Sequence, residues 1–482
     1  MKTFTYTLLI IVVLILSSCK VQQDSLSKAL NPPEQYPGSA ISSVDSANMA
    51  LTRWDAFFRD PQLKSLIEKG LANNQDIAKT LARIQIARAS LSRARMGRLP
   101  ELNLQTGAAV RKFGDYTMDG VGNDDTNLSP TVPEDKRIPV PYKDFMIGAA
   151  FNWELDIWGK LGMQKKQALA QYLATEEMAN LTQTWLVAEI ANQYYQIIGL
   201  DEEIETLLSN IAYQEQAFEL GKSLKNAGQE SQLSIDQFEA LMLNSKGLLV
   251  RKRRELRQAE LHLAYLLGSY PENISRPSLS EVDGLPEILE IGLPSDLLRL
   301  RPDIRAAEQT LQANKLEVNV ARTAFFPSFN LYGMAGFNAF DFSKLFLNPA
   351  STAYQLGGGL VAPLFNRNRI KATYQQAKSR QKIALYDYEQ TVLNSYLEVL
   401  ALVNDYSTLG EELELKTDEV LVQRRSVDNA NTMFKVGYAD YLDLINSQSN
   451  ALSSELDYIA LKVQQLQSIT RLYRALGGGW QP

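Results

Sequence analysis

The sequence contains two copies of one long unit, and this repeat limits the possible folds more than any other feature. Three stretches of the first half return in the second: 98–104 as 326–331, 151–160 as 361–369, and 227–231 as 436–440. The last two pairs are offset by about 209 residues, and the first by more, because the loop between its strands is longer in the first copy. Each copy predicts the order helix, strand, loop, strand, very long helix, turn, helix.

Four stretches, at about 100–110, 145–156, 327–337 and 354–365, alternate apolar and polar residues as strands do. Their apolar positions are Leu102, Leu104, Thr106, Ala108 and Val110, then Phe145, Ile147, Ala149, Phe151 and Trp153, then Phe329, Leu331, Gly333, Ala335 and Phe337, then Tyr354, Leu356, Gly358 and Leu360. Strands of about ten residues with one apolar face are typical of membrane β-barrels. The strands of a soluble sheet alternate in the same way, so the pattern alone leaves both structures open.

Two stretches without proline, 161–225 and 371–434, predict unusually long helices. Roughly 65 residues at about 1.5 Å each extend over roughly 100 Å. Apolar residues recur at alternating steps of three and four, which indicates coiled-coil packing. A single globular domain does not need a helix of this length, whereas a duct across an aqueous compartment does.

Four strands cannot close a barrel, and an open sheet edge is not tolerated in lipid. Closed outer-membrane barrels begin at about eight strands. If these are membrane strands, several copies of the chain must assemble, each contributing one four-stranded wedge. This argument gives at least two copies and does not fix the number.

The composition excludes several classes of protein. The net charge of −6 argues against nucleic-acid binding, which needs a basic surface. One cysteine, Cys19, and one histidine, His262, exclude a disulfide framework and a Cys/His zinc site within one chain. No catalytic constellation is present in the motifs, so we expect neither an enzyme nor a cofactor or metal.

The N-terminus predicts a lipoprotein. Residues 1–18 carry one lysine and a short apolar run that cannot span a bilayer, which is typical of a signal peptide. The run ends in Leu16, Ser17, Ser18 and Cys19, like a lipobox whose cysteine becomes acylated. We therefore expect Cys19 to anchor the mature chain in lipid, because several acyl chains together give stable anchoring.

Four stretches carry a resemblance to the TolC family of outer membrane efflux channels. Residues 54–63 resemble its opening helix, 153–160 its strand-to-helix signature, 297–308 its most specific stretch, and 325–328 the entry to its third strand. The likeness covers most of 54–476 and is greatest to the NodT/OprM-like lipoproteins that serve resistance–nodulation–division pumps. One departure is the turn at 366–369, where the family usually has aspartate and glycine.

The resemblance implies a mainly α protein with a membrane β-barrel. It implies a homotrimer in which one twelve-stranded barrel continues into a twelve-helix periplasmic tunnel. The expected partners are a periplasmic adaptor, an inner-membrane resistance–nodulation–division transporter and outer-membrane lipid. The expected segments are a signal peptide 1–18, an anchored extended segment 19–60, repeat 1 at 61–267, an equatorial linker 268–300, repeat 2 at 301–476 and a tail 477–482.

Two glycines mark the expected far ends of the helical hairpins. Gly228 and Gly437 each follow a long helix and precede a second one, where glycine commonly takes a left-handed conformation. The resemblance further implies that these turns, with Tyr438, meet the adaptor. A simple helix cap explains the glycines without that role.

An acidic constriction is expected just beyond the second turn. By resemblance, Asp443 lies where family members narrow the channel, and Asn446 stands where some carry a second acid. Asp440 lies one helical turn before Asp443 and is also a good helix N-cap. In a trimer such a residue forms a ring of three carboxylates, which favours cations. Ser234 is the counterpart of Asp443 in the first copy and adds no charge.

Three functions fit these observations. The first is the passive exit duct of a tripartite efflux pump, which conducts drugs or other toxic small molecules to the exterior. The second keeps the fold but makes it the outer-membrane port of type I protein secretion. The third is a lipid-anchored coiled-coil scaffold without a pore. The lipobox and the stretch 297–308 favour the first.

Overall fold

The two halves of the chain fold into corresponding helices of equal length. A computed structural model describes residues 33, 36, 48–282 and 291–481, all within one compact unit. The predicted signal peptide and Cys19 lie outside the described residues, as do most of the segment before residue 48 and residues 283–290 of the linker.

Ten α-helices and four strands occur in the described residues. The helices are α1 (Trp54–Phe57), α2 (Pro61–Asn73), α3 (Gln75–Met96), α4 (Met118–Leu128), α5 (Lys160–Asn226), α6 (Gln232–Leu266), α7 (Asp296–Leu300), α8 (Pro302–Thr323), α9 (Arg369–Lys435) and α10 (Tyr441–Ala475). The strands are β1 (Glu101–Arg111), β2 (Tyr142–Leu155), β3 (Ser328–Ala339) and β4 (Thr352–Val361).

The helices follow the predicted repeat. The long helices α5 and α9 each contain 67 residues, α6 and α10 each contain 35, and α3 and α8 each contain 22. A 67-residue helix extends over about 100 Å. None of the helices in the described part of the chain is both long and apolar enough to cross a membrane.

The strands form one antiparallel sheet in the order β1-β2-β3-β4. The register places Leu102, Phe151, Gly333 and Leu356 in one row across it. Because side chains alternate along each strand, the apolar positions predicted for all four strands share one face of this sheet. The opposite face carries most of the polar positions, including Asn103, Gln105, Asn152, Asn330 and Gln355.

Three strand ends differ from the expected ones for physical reasons. The second strand begins earlier, at Tyr142, because Tyr142 still pairs with Arg111 at the end of β1. The fourth ends at Val361 rather than near 365, where Pro363 has no backbone N–H for the ladder. Asp156, expected in β2, instead caps α5: its carboxylate accepts from the N–H groups of Leu161 and Gly162, both at 2.8 Å.

The described parts of the N-terminal segment and the linker share one apolar core with α2, α5, α6, α9 and α10. The buried Tyr473 of α10 donates its hydroxyl hydrogen to the carbonyl of Thr52 at 2.6 Å. In the tail, the Trp480 indole donates to the carbonyl of Leu300 at 3.2 Å. These two bonds attach the segment before α1 and the tail to residues of this core.

The two ends of the long helices α5 and α9 carry different structures. The sheet lies at the starts of α5 and α9, and the core around the linker packs against the middle of these two helices. The other ends of these two helices lead to two short turns, which we call turn 1 (residues 227–231) and turn 2 (residues 436–440).

Candidate functional site

Turn 1 follows the end of α5 and requires a backbone conformation that few residue types adopt. Gly228 has φ of +77°, the left-handed conformation that glycine adopts without strain. Its N–H donates to Lys225 at 2.9 Å, and the N–H of Gln229 donates to Leu224 at 2.9 Å. These bonds satisfy carbonyl groups at the end of α5, so backbone geometry alone explains the glycine.

Turn 2 repeats this geometry. Gly437 has φ of +80°, and the N–H of Tyr438 donates to the carbonyl of Met433 at 2.9 Å. A Cβ atom on Gly228 or Gly437 would meet no atom within 4 Å, so the demand is conformational and not steric. The side chain of Tyr438 is 82% exposed.

A cluster that sequence reasoning missed joins the two hairpins near their turns. Phe238 of α6 and Phe434 of α9 are both buried, and their ring centroids lie 6.2 Å apart. Ala217, Ala430 and Leu444 complete the buried part of this cluster. The only sequence signal for this cluster was weak. Phe238 and Phe434 are aromatic residues close to the turns, and the corresponding positions of the other repeat are not aromatic.

The first residues of α10 form a capping box. The Asp440 carboxylate accepts from the N–H of Asp443 at 2.9 Å, and the Asp443 carboxylate accepts from the N–H of Asp440 at 3.1 Å. The structure thus shows the capping role expected for Asp440. Asp440, Asp443 and Asn446 are all exposed in the single chain, so each remains accessible from outside this chain.

The corresponding residues of repeat 1 are different. Ser231 caps α6 by accepting from the N–H of Ser234. Ser234 is fully buried and donates its hydroxyl hydrogen to the Glu230 carboxylate at 2.7 Å. Only repeat 2 therefore presents an exposed carboxylate at this position, as the sequence predicted.

The stretch 297–308 has a structural role. The Arg301 guanidinium, with 11% of its side chain exposed, binds both oxygens of Asp303 at 2.7 and 3.0 Å. It also donates to Glu398 at 2.8 Å and to the carbonyl of Ala475 at 2.7 Å. Arg301 therefore ties α8, α9 and the end of α10 together. Within the described ranges, no group of His, Cys, Asp and Glu side chains is arranged to hold a metal ion.

The comparison with known families agrees with this architecture. A family model described as "Outer membrane efflux protein" matches residues 66–269 and 293–478. The chain belongs to the outer membrane efflux protein family.

Two curated relatives align over nearly the whole chain. The pyoverdine export outer membrane protein OpmQ of Pseudomonas aeruginosa is 29% identical over 473 residues, which is 97% of this chain and 95% of that protein. The cation efflux system protein CusC of Escherichia coli is 27% identical over 472 residues, 98% of each chain.

Solved efflux channels have the same fold. The outer-membrane channel OprN is 28% identical, with a TM-score of 0.82, and the alignment covers 96% of this chain and all of that one. The open state of the Neisseria gonorrhoeae MtrE channel has a TM-score of 0.80 at 22% identity, with 94% and 98% covered, which is a likeness of fold.

Membership in this efflux family confirms the predicted fold class: three chains form one twelve-stranded barrel that continues into a twelve-helix periplasmic tunnel. The protein is the exit duct of an efflux pump, located in the outer membrane. It works with an adaptor and an inner-membrane transporter. Members of the family are channels and not enzymes.

Proposed function

We propose that this duct serves a pump of the resistance–nodulation–division class and expels toxic small molecules. The duct rests on the pairing, in one chain, of a sheet with one apolar face and two 67-residue helices. The lipobox and the stretch 297–308 favour this class of pump. Relatives named for pyoverdine export, toluene efflux and cation efflux support a small-molecule cargo and leave its identity open.

Deletion of the gene tests the cargo. We expect the deleted strain to become more susceptible to drugs and solvents, with an unchanged set of secreted proteins. Loss of a secreted protein with unchanged susceptibility would instead indicate the type I secretion port. Purified trimer in a planar bilayer should give steady single-channel conductance, whereas an inserted trimer that never conducts would indicate a scaffold.

The two turns are the proposed adaptor-docking surface. Their support is geometric: each ends a 67-residue helix, and Tyr438 projects from turn 2 with 82% of its surface exposed. Tyr438→Ala should weaken binding of the periplasmic adaptor, because exposed tyrosines are common anchors of interfaces. Tyr270→Ala is a matched control, since Tyr270 is 91% exposed and lies in the linker.

Bulky substitutions at Gly228 and Gly437 should reduce adaptor binding further. If such variants keep both their stability and their adaptor affinity, the turns do not form the docking surface. Equal losses for Tyr438→Ala and Tyr270→Ala would likewise contradict docking at turn 2.

Asp443 is the proposed constriction of the channel, with Asn446 one helical turn beyond it. Asp443→Asn removes the charge and keeps a side-chain oxygen that can accept from the N–H of Asp440. We expect this variant to lose cation preference and block by trivalent cations, because three close carboxylates favour cations in a pore. Asp440→Asn, which also preserves a cap, should change both properties less.

Unaltered cation preference and block in Asp443→Asn channels would show that Asp443 does not line the constriction. A larger effect of Asp440→Asn would assign the ring to Asp440 instead.

Lipidation at Cys19 remains part of the proposal. Cys19→Ser should leave an uncleaved or unanchored protein without fatty-acid label. Labelling that persists in this variant, or processing of the native chain that is insensitive to globomycin, would contradict the lipobox.

A further inference from the structure

Three segments beside the helical end of the sheet are strongly basic, although the whole chain has a net charge of −6. Residues 77–100, 157–175 and 362–386 contain six, three and six Lys or Arg residues, and no Asp or Glu. They lead into β1, out of β2 and out of β4, at the end of the sheet from which the long helices start. The positive charge is therefore concentrated at the junction of barrel and tunnel.

The arginines closest to the strand ends at this junction are available to bind an anion. Arg98, Arg367 and Arg369 are exposed, and none of them forms an ion pair with a described residue. The nearest carboxylates on β2 and after it have other partners. Glu154 pairs with Lys160 at 2.9 Å, and Asp156 caps α5.

Large apolar side chains accompany these arginines. Leu99 is 61% exposed next to Arg98, and Leu364 and Phe365 are 97% and 87% exposed just before Arg367. Exposed apolar residues next to cations are typical of the boundary between acyl chains and headgroups, where long cationic side chains reach the polar layer.

Assembly of the trimer brings the arginines that follow β4 of one copy towards the arginine that precedes β1 of the next. The strands β1 and β4 are the outer strands of the sheet, so closing the barrel pairs β4 of one copy with β1 of the next. The two strands run in opposite directions, and the end of β4 therefore lies beside the start of β1. Arg367 and Arg369 of one copy then approach Arg98 of the next. Glu101, at the start of β1, supplies one carboxylate at this seam and accepts from the Asn103 amide at 3.3 Å, so the three arginines leave an excess of positive charge that an anion would offset.

We propose that each of the three seams between copies binds one anionic glycerophospholipid from the inner leaflet of the outer membrane. Arg98, Arg367 and Arg369 bind its phosphate, since guanidinium groups bind phosphate oxygens in pairs. The acyl chains lie against Leu99, Leu364 and Phe365. The lipid reduces the positive charge of the seam and joins neighbouring copies.

The test uses purified trimer and defined lipids. Phosphatidylglycerol added to trimer in neutral detergent should bind at three molecules per trimer by native mass spectrometry and raise the temperature of trimer dissociation. Arg98→Gln combined with Arg367→Gln and Arg369→Gln should weaken this binding by about a hundredfold, because each cation near an anionic lipid surface contributes roughly a factor of five. The corresponding triple lysine variant should keep most of the binding.

A matched control removes three arginines elsewhere: Arg251→Gln, Arg253→Gln and Arg254→Gln on α6, which are exposed as well. This control should bind phosphatidylglycerol as the native protein does. Equal binding by the two glutamine variants, or equal binding of phosphatidylcholine, would overturn the proposal. Equal stabilisation by glycerol phosphate would also overturn it, because the site would then not need acyl chains.

If the triple glutamine variant does not assemble, Arg367→Gln alone is measured. Native affinity in this single variant, together with native affinity in Arg98→Gln, would also overturn the assignment.

Discussion

The Phe238 and Phe434 rings meet at a centroid distance of 6.2 Å with planes inclined by 64°, and this contact joins the two hairpins of one copy. The repeat does not preserve the pair. With an offset of 209 residues, Phe238 corresponds to Ser447 and Phe434 to Lys225. The positions that correspond to this pair therefore carry no aromatic ring.

We predict that Phe434→Ala loosens the lower end of the tunnel. Truncation of a buried phenylalanine costs about 3–5 kcal/mol. Hydrogen exchange should become faster around turns 1 and 2, while exchange in the sheet stays unchanged. Tyr438→Ala, which removes an exposed ring near turn 2, should leave exchange nearly as it is. Similar exchange in the two variants would contradict this role of the Phe238–Phe434 contact.

We predict that Gly437→Ala destabilises turn 2 by about 1–2 kcal/mol, because a Cβ atom disfavours the left-handed conformation. Gly437→Asn should cost less, since asparagine tolerates this conformation better. Denaturant unfolding of the trimer measures both. Gly247→Ala is the control. Gly247 lies within α6 and has open space around it, so this variant should be slightly more stable than the native protein. If Gly437→Ala were more stable than Gly437→Asn, this explanation would be wrong.

We predict that Arg301→Ala destabilises the protein by about 3–5 kcal/mol, because it leaves the Asp303 carboxylate without its cation in a partly buried site and leaves Glu398 with Arg474 alone. Arg301→Lys should recover only part of this loss, since an ammonium group cannot bind both oxygens of Asp303 in parallel. Thermal unfolding provides the measurement. Arg299→Ala serves as control, because Arg299 is 70% exposed and faces only Asp296 at 3.5 Å; a comparable loss there would contradict the role of the buried network.

We predict a loss of stability in alkali that depends on Tyr194. Burial, and then the hydrogen bond that its hydroxyl donates to Asp60 at 2.6 Å, raise the pKa of Tyr194 well above the ordinary 10.0. The unfolded chain therefore releases this proton first, and the stability contributed by Tyr194 is complete below pH 10 and declines as pH rises further. The slope is about 1.4 kcal/mol per pH unit for each such tyrosine.

Tyr194→Phe should reduce this slope by the contribution of one tyrosine. It should also lower the stability at neutral pH by about 1.5–3 kcal/mol, because the hydrogen bond to the charged Asp60 is lost. Tyr195→Phe should reduce the slope similarly, since burial raises the pKa of Tyr195 as well. Unfolding free energies at a series of pH values decide this. An identical alkaline slope in native protein and both variants would exclude the buried tyrosines as its source.

Much of the local structure was predictable from the sequence. The proline-free stretches 161–225 and 371–434 became helices of 67 residues, since nothing in them interrupts backbone hydrogen bonding. Period-two alternation gave four strands whose apolar sides share one face. Gly228 and Gly437 have the left-handed conformation expected after a helix.

Contacts between distant segments were not predictable, because a single sequence does not reveal which side chains meet. Three examples are the Phe238–Phe434 pair, the binding of Arg301 to Glu398, and the bond between Tyr473 and Thr52. The same limit applies to the junction arginines: their number is visible in the sequence, but only the order of the strands brings Arg98 and Arg367 to one seam. Hydrophobic period and turn chemistry act over a few residues, whereas these relationships depend on how long helices and sheet edges pack in space.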